Sequence, residues 1–115
     1  MEALLQAAHT LAAQLSESAC CRAYTEAREE VERDEALKSK LAAFKARRLA
    51  YLAETEAGAA APEEERAIGE MYWALMLDAR ARCFIEAERE AAELTAALCR
   101  AVAEGCPVEP AFPQL

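Results

Sequence analysis

The chain has 115 residues and a mass of 12.5 kDa, enough for one domain with a modest core. A net charge of −8 argues against a protein that binds nucleic acid directly, and no apolar run approaches the ~18 residues that a membrane span requires. Three Gly, four Pro and an abundance of Ala, Leu, Glu and Arg predict an all-α protein. Hydrophobic residues make up 55%, yet roughly a quarter of the chain is alanine, which brings little apolar area per residue. Helices built this way pack closely but stabilise weakly, so burial against a second subunit is expected. The start, Met1-Glu2-Ala3-Leu4-Leu5, lacks the basic segment of a signal peptide. Five cysteines without regular spacing fit a reducing compartment, so a cytoplasmic location is expected.

Taken in order, residues 3–15 place Leu4, Ala8, Leu11 and Leu15 on one face of a first helix. Ser16 or Ser18 ends it and caps a second helix that runs through Tyr24, Ala27 and Val31 to about Arg33. Asp34 caps a third, which carries Leu37, Leu41, Phe44, Leu49, Tyr51 and Leu52. The same helix holds Lys38, Lys40, Lys45, Arg47 and Arg48 with no acid among them, the one place where this acidic chain reverses sign. One reading is a solvated face paired with acids of a neighbouring helix. The other makes Lys38, Lys45, Arg47 and Arg48 a contact for an acidic partner. Gly58 to Pro62 is the clear linker, with glycine ending one helix and proline opening the next.

The fourth helix carries Ile68, Met71, Tyr72 and Leu75 on one side, and Trp73, Met76 and Leu77 elsewhere around it. A segment apolar all round belongs to a deep core or an interface, which makes Met71, Trp73, Met76 and Leu77 interface candidates. Without a break, residues 63–104 would span about 60 Å, so a bend at Asp78 or a dimer must absorb that length. Asp78 is a natural N-cap, followed by a stripe of Phe84, Ala87, Ala91, Leu94, Leu98 and Ala101. Gly105 closes the last helix, and residues 106–115 form an extended, Pro-rich tail after a helical domain of residues 1–105. At an offset of 60 positions, Ser18 falls on Asp78, Arg22 on Arg82, Tyr24 on Phe84, Glu26 on Glu86 and Ala27 on Ala87. Upstream, Ala8, Leu11, Ala12 and Leu15 fall on Ile68, Met71, Tyr72 and Leu75. The expected architecture is therefore a bundle of four to five helices with a helix–cap–helix internal repeat, in an oligomer.

Signals of catalysis are nearly absent. His9 lacks the Glu three residues earlier that di-iron bundles use, and reads as a surface histidine. No glycine-rich phosphate loop occurs, and no Ser or Cys has a sequence-level case for a partnered base. The cysteines admit two readings. Adjacent Cys20 and Cys21 point about 100° apart on a helix, and Cys83 falls on position 23, two residues from Cys21, in the repeat register. Cys99 and Cys106 are two turns apart, on either side of Gly105. The plainer reading is small buried hydrophobes plus one exposed tail thiol. The sharper one is a metal or iron–sulfur site that uses Cys21, Cys83, Cys99 and Cys106 across subunits.

The run Leu15-Ser-Glu-Ser-Ala-Cys-Cys-Arg-Ala-Tyr-Thr-Glu-Ala, followed by Asp34, Leu37 and Phe44, resembles the YlbF/YmcA family of small bacterial helical regulators. The run from Asp78 to Glu88, with Phe84-Ile-Glu-Ala-Glu at its end, is similar to that family's second signature. The likeness spans roughly residues 3–104. It departs at Cys21, where the family more often has an aromatic, and at Asp78-Ala79, which replaces Asn-Pro. The resemblance implies a non-enzymatic regulator that associates with itself or with a sister protein. It also implies a cytoplasmic complex that modulates an endoribonuclease and RNA maturation, one associated with iron–sulfur clusters.

Overall fold

The computed structural model describes residues 1–58 and 61–106, among which there are five helices and no strand. They are α1 (Glu2–Glu17), α2 (Ala19–Glu32), α3 (Glu35–Glu56), α4 (Pro62–Met76) and α5 (Ala79–Gly105). The predicted tail lies, apart from Cys106, outside the described residues, as do Ala59 and Ala60 of the linker. Gly58 has φ +78°, a left-handed conformation that glycine adopts without a Cβ clash, and it ends α3 as expected.

Short polar side chains set each break. Ser18 both terminates α1 and caps α2, where its hydroxyl donates to the Leu15 carbonyl and accepts the Cys21 amide. Asp34 accepts the Leu37 amide at the start of α3, 3.1 Å away. Asp78 accepts the amides of Arg80 and Ala81 at the start of α5, so the long apolar run bends where a cap was expected. Ser18 and Asp78, which the offset of 60 aligns, thus perform the same task at two helix corners.

α2 and α5 form the largest helix pair, and α3 lies on α4. The core contains Ala27 and Val31 of α2, Leu37, Leu41 and Phe44 of α3, Leu75 of α4, and Ala81, Phe84 and Ala87 of α5. Tyr24 and Phe84 meet there with ring centroids 5.7 Å apart, and Phe44 meets Tyr72 at 6.1 Å. Tyr24 is only half-buried, with the Arg28 guanidinium 5.6 Å above its ring. The two aromatics are therefore unequal anchors.

Several expected core positions are open. Leu49 and Leu52 sit toward the C-terminal end of α3 and are exposed. Leu4 and Leu11 of α1 are exposed as well, and only Leu15 of that helix is partly covered. The molecule is flat, 48 × 38 × 17 Å, with a radius of gyration of 17.8 Å where a compact domain of this length has about 13 Å.

Candidate partner-binding surface

The acidic helix corners are tied together by one cation. The Arg80 guanidinium reaches Asp34 at 3.0 Å and Asp78 at 3.3 Å, and so joins the caps of α3 and α5. Both carboxyls are held below their ordinary 3.8. At Asp34 the Leu37 amide contributes most and Arg80 next, whereas at Asp78 the Arg80 side chain contributes most. Arg82 also donates to the Met76 carbonyl at the end of α4. Sequence reasoning found both aspartates as caps and missed Arg80. The register at offset 60 pairs Arg80 with Cys20, so the repeat gave no signal for it.

The basic run on α3 is largely engaged within the chain. Lys45 pairs with Glu88 of α5, and its ammonium lies 4.9 Å from the Phe84 ring centroid. Arg47 holds Glu64 of α4, with Nη2 at 3.0 Å from Oε2, and donates to the Met71 sulfur at 3.6 Å. That pair lowers the Glu64 carboxyl and raises the Arg47 guanidinium. Lys38 meets Glu32 at 2.8 Å across the α2–α3 corner. Arg48 is exposed and makes no ion pair among the described residues. Three of the four basic candidates thus fasten helices, in line with the paired-face reading of the run.

The apolar candidates on α4 diverge. Met71 and Met76 are half-buried, whereas Trp73 is 69% exposed and Leu77 is 87% exposed. Trp73 and Leu77 stand one turn apart on the same side of the helix end. An apolar groove of about 290 Å³ lies between α3 and α4, lined by Leu37, Ala43, Met71, Ala74 and Leu75, with Lys40 and Asp78 at its edge, and helical phase places Trp73 and Leu77 on a different side of α4. The Tyr72 ring stacks edge-on to Trp73 at 5.5 Å and links it through Phe44 to the core. An exposed indole that stands on a tyrosine ring is the kind of side chain that dominates protein-binding hot spots.

The cysteines are not brought together. Cys20 and Cys21 are half-buried, while Cys83, Cys99 and Cys106 are exposed. The reading of mostly buried thiols is therefore corrected. Cys83 and Cys99 each follow or precede a stripe residue by one position, and that step turns them outward. Among the described residues no three His, Cys, Asp or Glu side chains are placed to hold a metal ion. His9 is exposed on α1. No helix among the described residues is long and apolar enough to cross a membrane.

The profile of a family described as control of competence regulator ComK, YlbF/YmcA, matches residues 4–105 of the chain. No curated protein and no solved structure matches it.

Proposed function

The chain belongs to the YlbF/YmcA family, a family of regulators, and we propose that it is a non-catalytic adaptor that works through protein–protein contacts. The observation that carries this reading is the Trp73–Leu77 pair, exposed one turn apart at the end of α4, with the Trp73 indole edge-on to the partly buried Tyr72 ring. Trp leads the residues that dominate interface energies. The family resemblance supplies the partner class: a cytoplasmic complex, with a sister protein of the family, that modulates an endoribonuclease and RNA maturation. With a net charge of −8, the chain contributes to such a complex by binding protein rather than RNA.

The test uses the purified endoribonuclease and sister protein of the same cell, titrated with this chain by calorimetry. The expected result is saturable binding to one of them, weakened at least about tenfold in W73A because a hot-spot indole contributes about 2 kcal/mol or more. Equal binding by W73A would remove the proposed surface. No binding to either protein would remove the proposed partner class.

A further inference from the structure

The groove between α3 and α4 stays open because its walls are short. Ala43 and Ala74 carry nothing beyond Cβ and are both exposed, so a gap remains over the buried Leu37 and Leu75. Met71 stands at one end, where its sulfur accepts from the Arg47 guanidinium at 3.6 Å, and Asp78 stands at the other. The volume of about 290 Å³ is nearly twice the 150 Å³ or so that admits a benzene ring. From Leu37 to Ala43 the α3 wall rises about 9 Å. The groove therefore has room for two apolar side chains set about 6 Å apart, the spacing of one helical turn.

Two charged residues line it, and they differ in what they already hold. Asp78 is committed, since its carboxylate accepts the Arg80 and Ala81 amides and the Arg80 guanidinium. Lys40 is exposed and makes no ion pair among the described residues. Its neighbours one turn away on α3 are Ala36, Leu37, Ala43 and Phe44, none of them acidic. An unpaired ammonium thus stands beside an apolar cleft on a chain of net charge −8.

We infer that this groove docks a short acidic amphipathic helix of another protein, which seats two apolar side chains between α3 and α4 and places a carboxylate on Lys40. Charge selects that occupant. A chain of −8 repels acidic segments over most of its surface, so such a segment gains only where a cation is left without a partner. Openness selects it as well. A small molecule needs most of its surface covered, and with Ala43 and Ala74 exposed the groove leaves one side in water. A helix lays its apolar stripe into such a groove and keeps its polar face in solvent. Trp73 and Leu77 lie on a different side of α4, so this is a second contact surface, separate from the one proposed above.

The experiment is calorimetric titration of the full chain with two helical peptides of about 14 residues. The first is built of Ala and Glu with two leucines four positions apart, and the second carries Lys in place of every Glu. The acidic peptide is expected to saturate the chain below about 1 mM and to bind at least about tenfold more tightly than the basic one. Net charge alone predicts the opposite order, because the chain is acidic. K40E is expected to weaken the acidic peptide at least about tenfold and to strengthen the basic one. A74L, which fills the groove, is expected to abolish binding of the acidic peptide, and W73A/L77A to leave it unchanged. Lys40 and Ala74 are exposed, so both single variants are expected to keep the helix content and mass of the wild type. Failure of the acidic peptide to saturate the chain, tighter binding of the basic peptide, or wild-type binding by K40E or by folded A74L overturns the inference. Loss of binding in W73A/L77A places the contact on the Trp73 surface, and a changed mass of A74L in light scattering assigns the groove to a second copy of the chain; either result also overturns it.

Discussion

Replacing Phe84 by alanine removes one of only two aromatic rings buried in the described core. That core has nine buried residues, three of them alanines, so its apolar area is concentrated in Val31, Leu37, Leu41, Phe44, Leu75 and Phe84. Phe84 is 6% exposed, touches the Tyr24 ring and lies beneath the Lys45 ammonium. Deleting a ring so placed costs about 3–5 kcal/mol, which combines lost transfer energy and the cavity left behind. A domain of this size has about 5–15 kcal/mol in total, so F84A removes about a fifth or more of it. Tyr24 is less completely buried, and Y24A is expected to cost less than F84A. The Tyr24–Phe84 contact adds about 0.5–1.5 kcal/mol that should appear as coupling in a double-mutant cycle. Urea unfolding followed by circular dichroism, at one protein concentration, measures all three. A cost for F84A below about 1 kcal/mol would refute the assignment of Phe84 as the central packing residue.

Other consequences follow from the corner and from the cysteines. Asp78→Ala should lower the melting temperature more than Arg80→Ala, because Asp78 both caps α5 and holds Arg80, whereas loss of Arg80 leaves both caps in place; the reverse order contradicts the cap account. Asp34, Asp78 and Glu64 all ionise more readily in the folded chain than at their ordinary 3.8 to 4.5. Near pH 4 the unfolded chain therefore binds more protons than the folded one. The stability from these groups is full above about pH 5 and lost on further acidification, a decline that Arg80→Ala should flatten. Protein purified without oxygen should show no visible absorbance of an iron–sulfur cluster, since no three ligand side chains come together among the described residues; a coloured preparation would require ligands from a second chain.

Helix identity and corners were legible because their causes are local. Ser18, Asp34 and Asp78 reveal themselves as caps, Gly58 as a helix end and Pro62 as a helix start, all within a few residues. The buried stripe of α5 at Phe84 and Ala87 was equally readable from helical phase. Phase did not reveal how far a neighbouring helix extends. Leu52, Leu4 and Leu11 lie near the phase of covered residues, yet all three are exposed. Nor could sequence show that Lys45 and Arg47 would meet Glu88 and Glu64, which lie far along the chain on other helices. Trp73 and Leu77 were legible as interface candidates, but only the structure separates them from the half-buried Met71 and Met76.

The central claim is that this regulator acts through an exposed apolar surface rather than through a catalytic pocket. Its most direct measurement is calorimetric titration of the purified endoribonuclease and sister protein with wild type, W73A and L77A, each variant first shown to keep its helix content. The account predicts that wild type binds and that both variants bind at least about tenfold more weakly. Undiminished binding by folded W73A and L77A would contradict it.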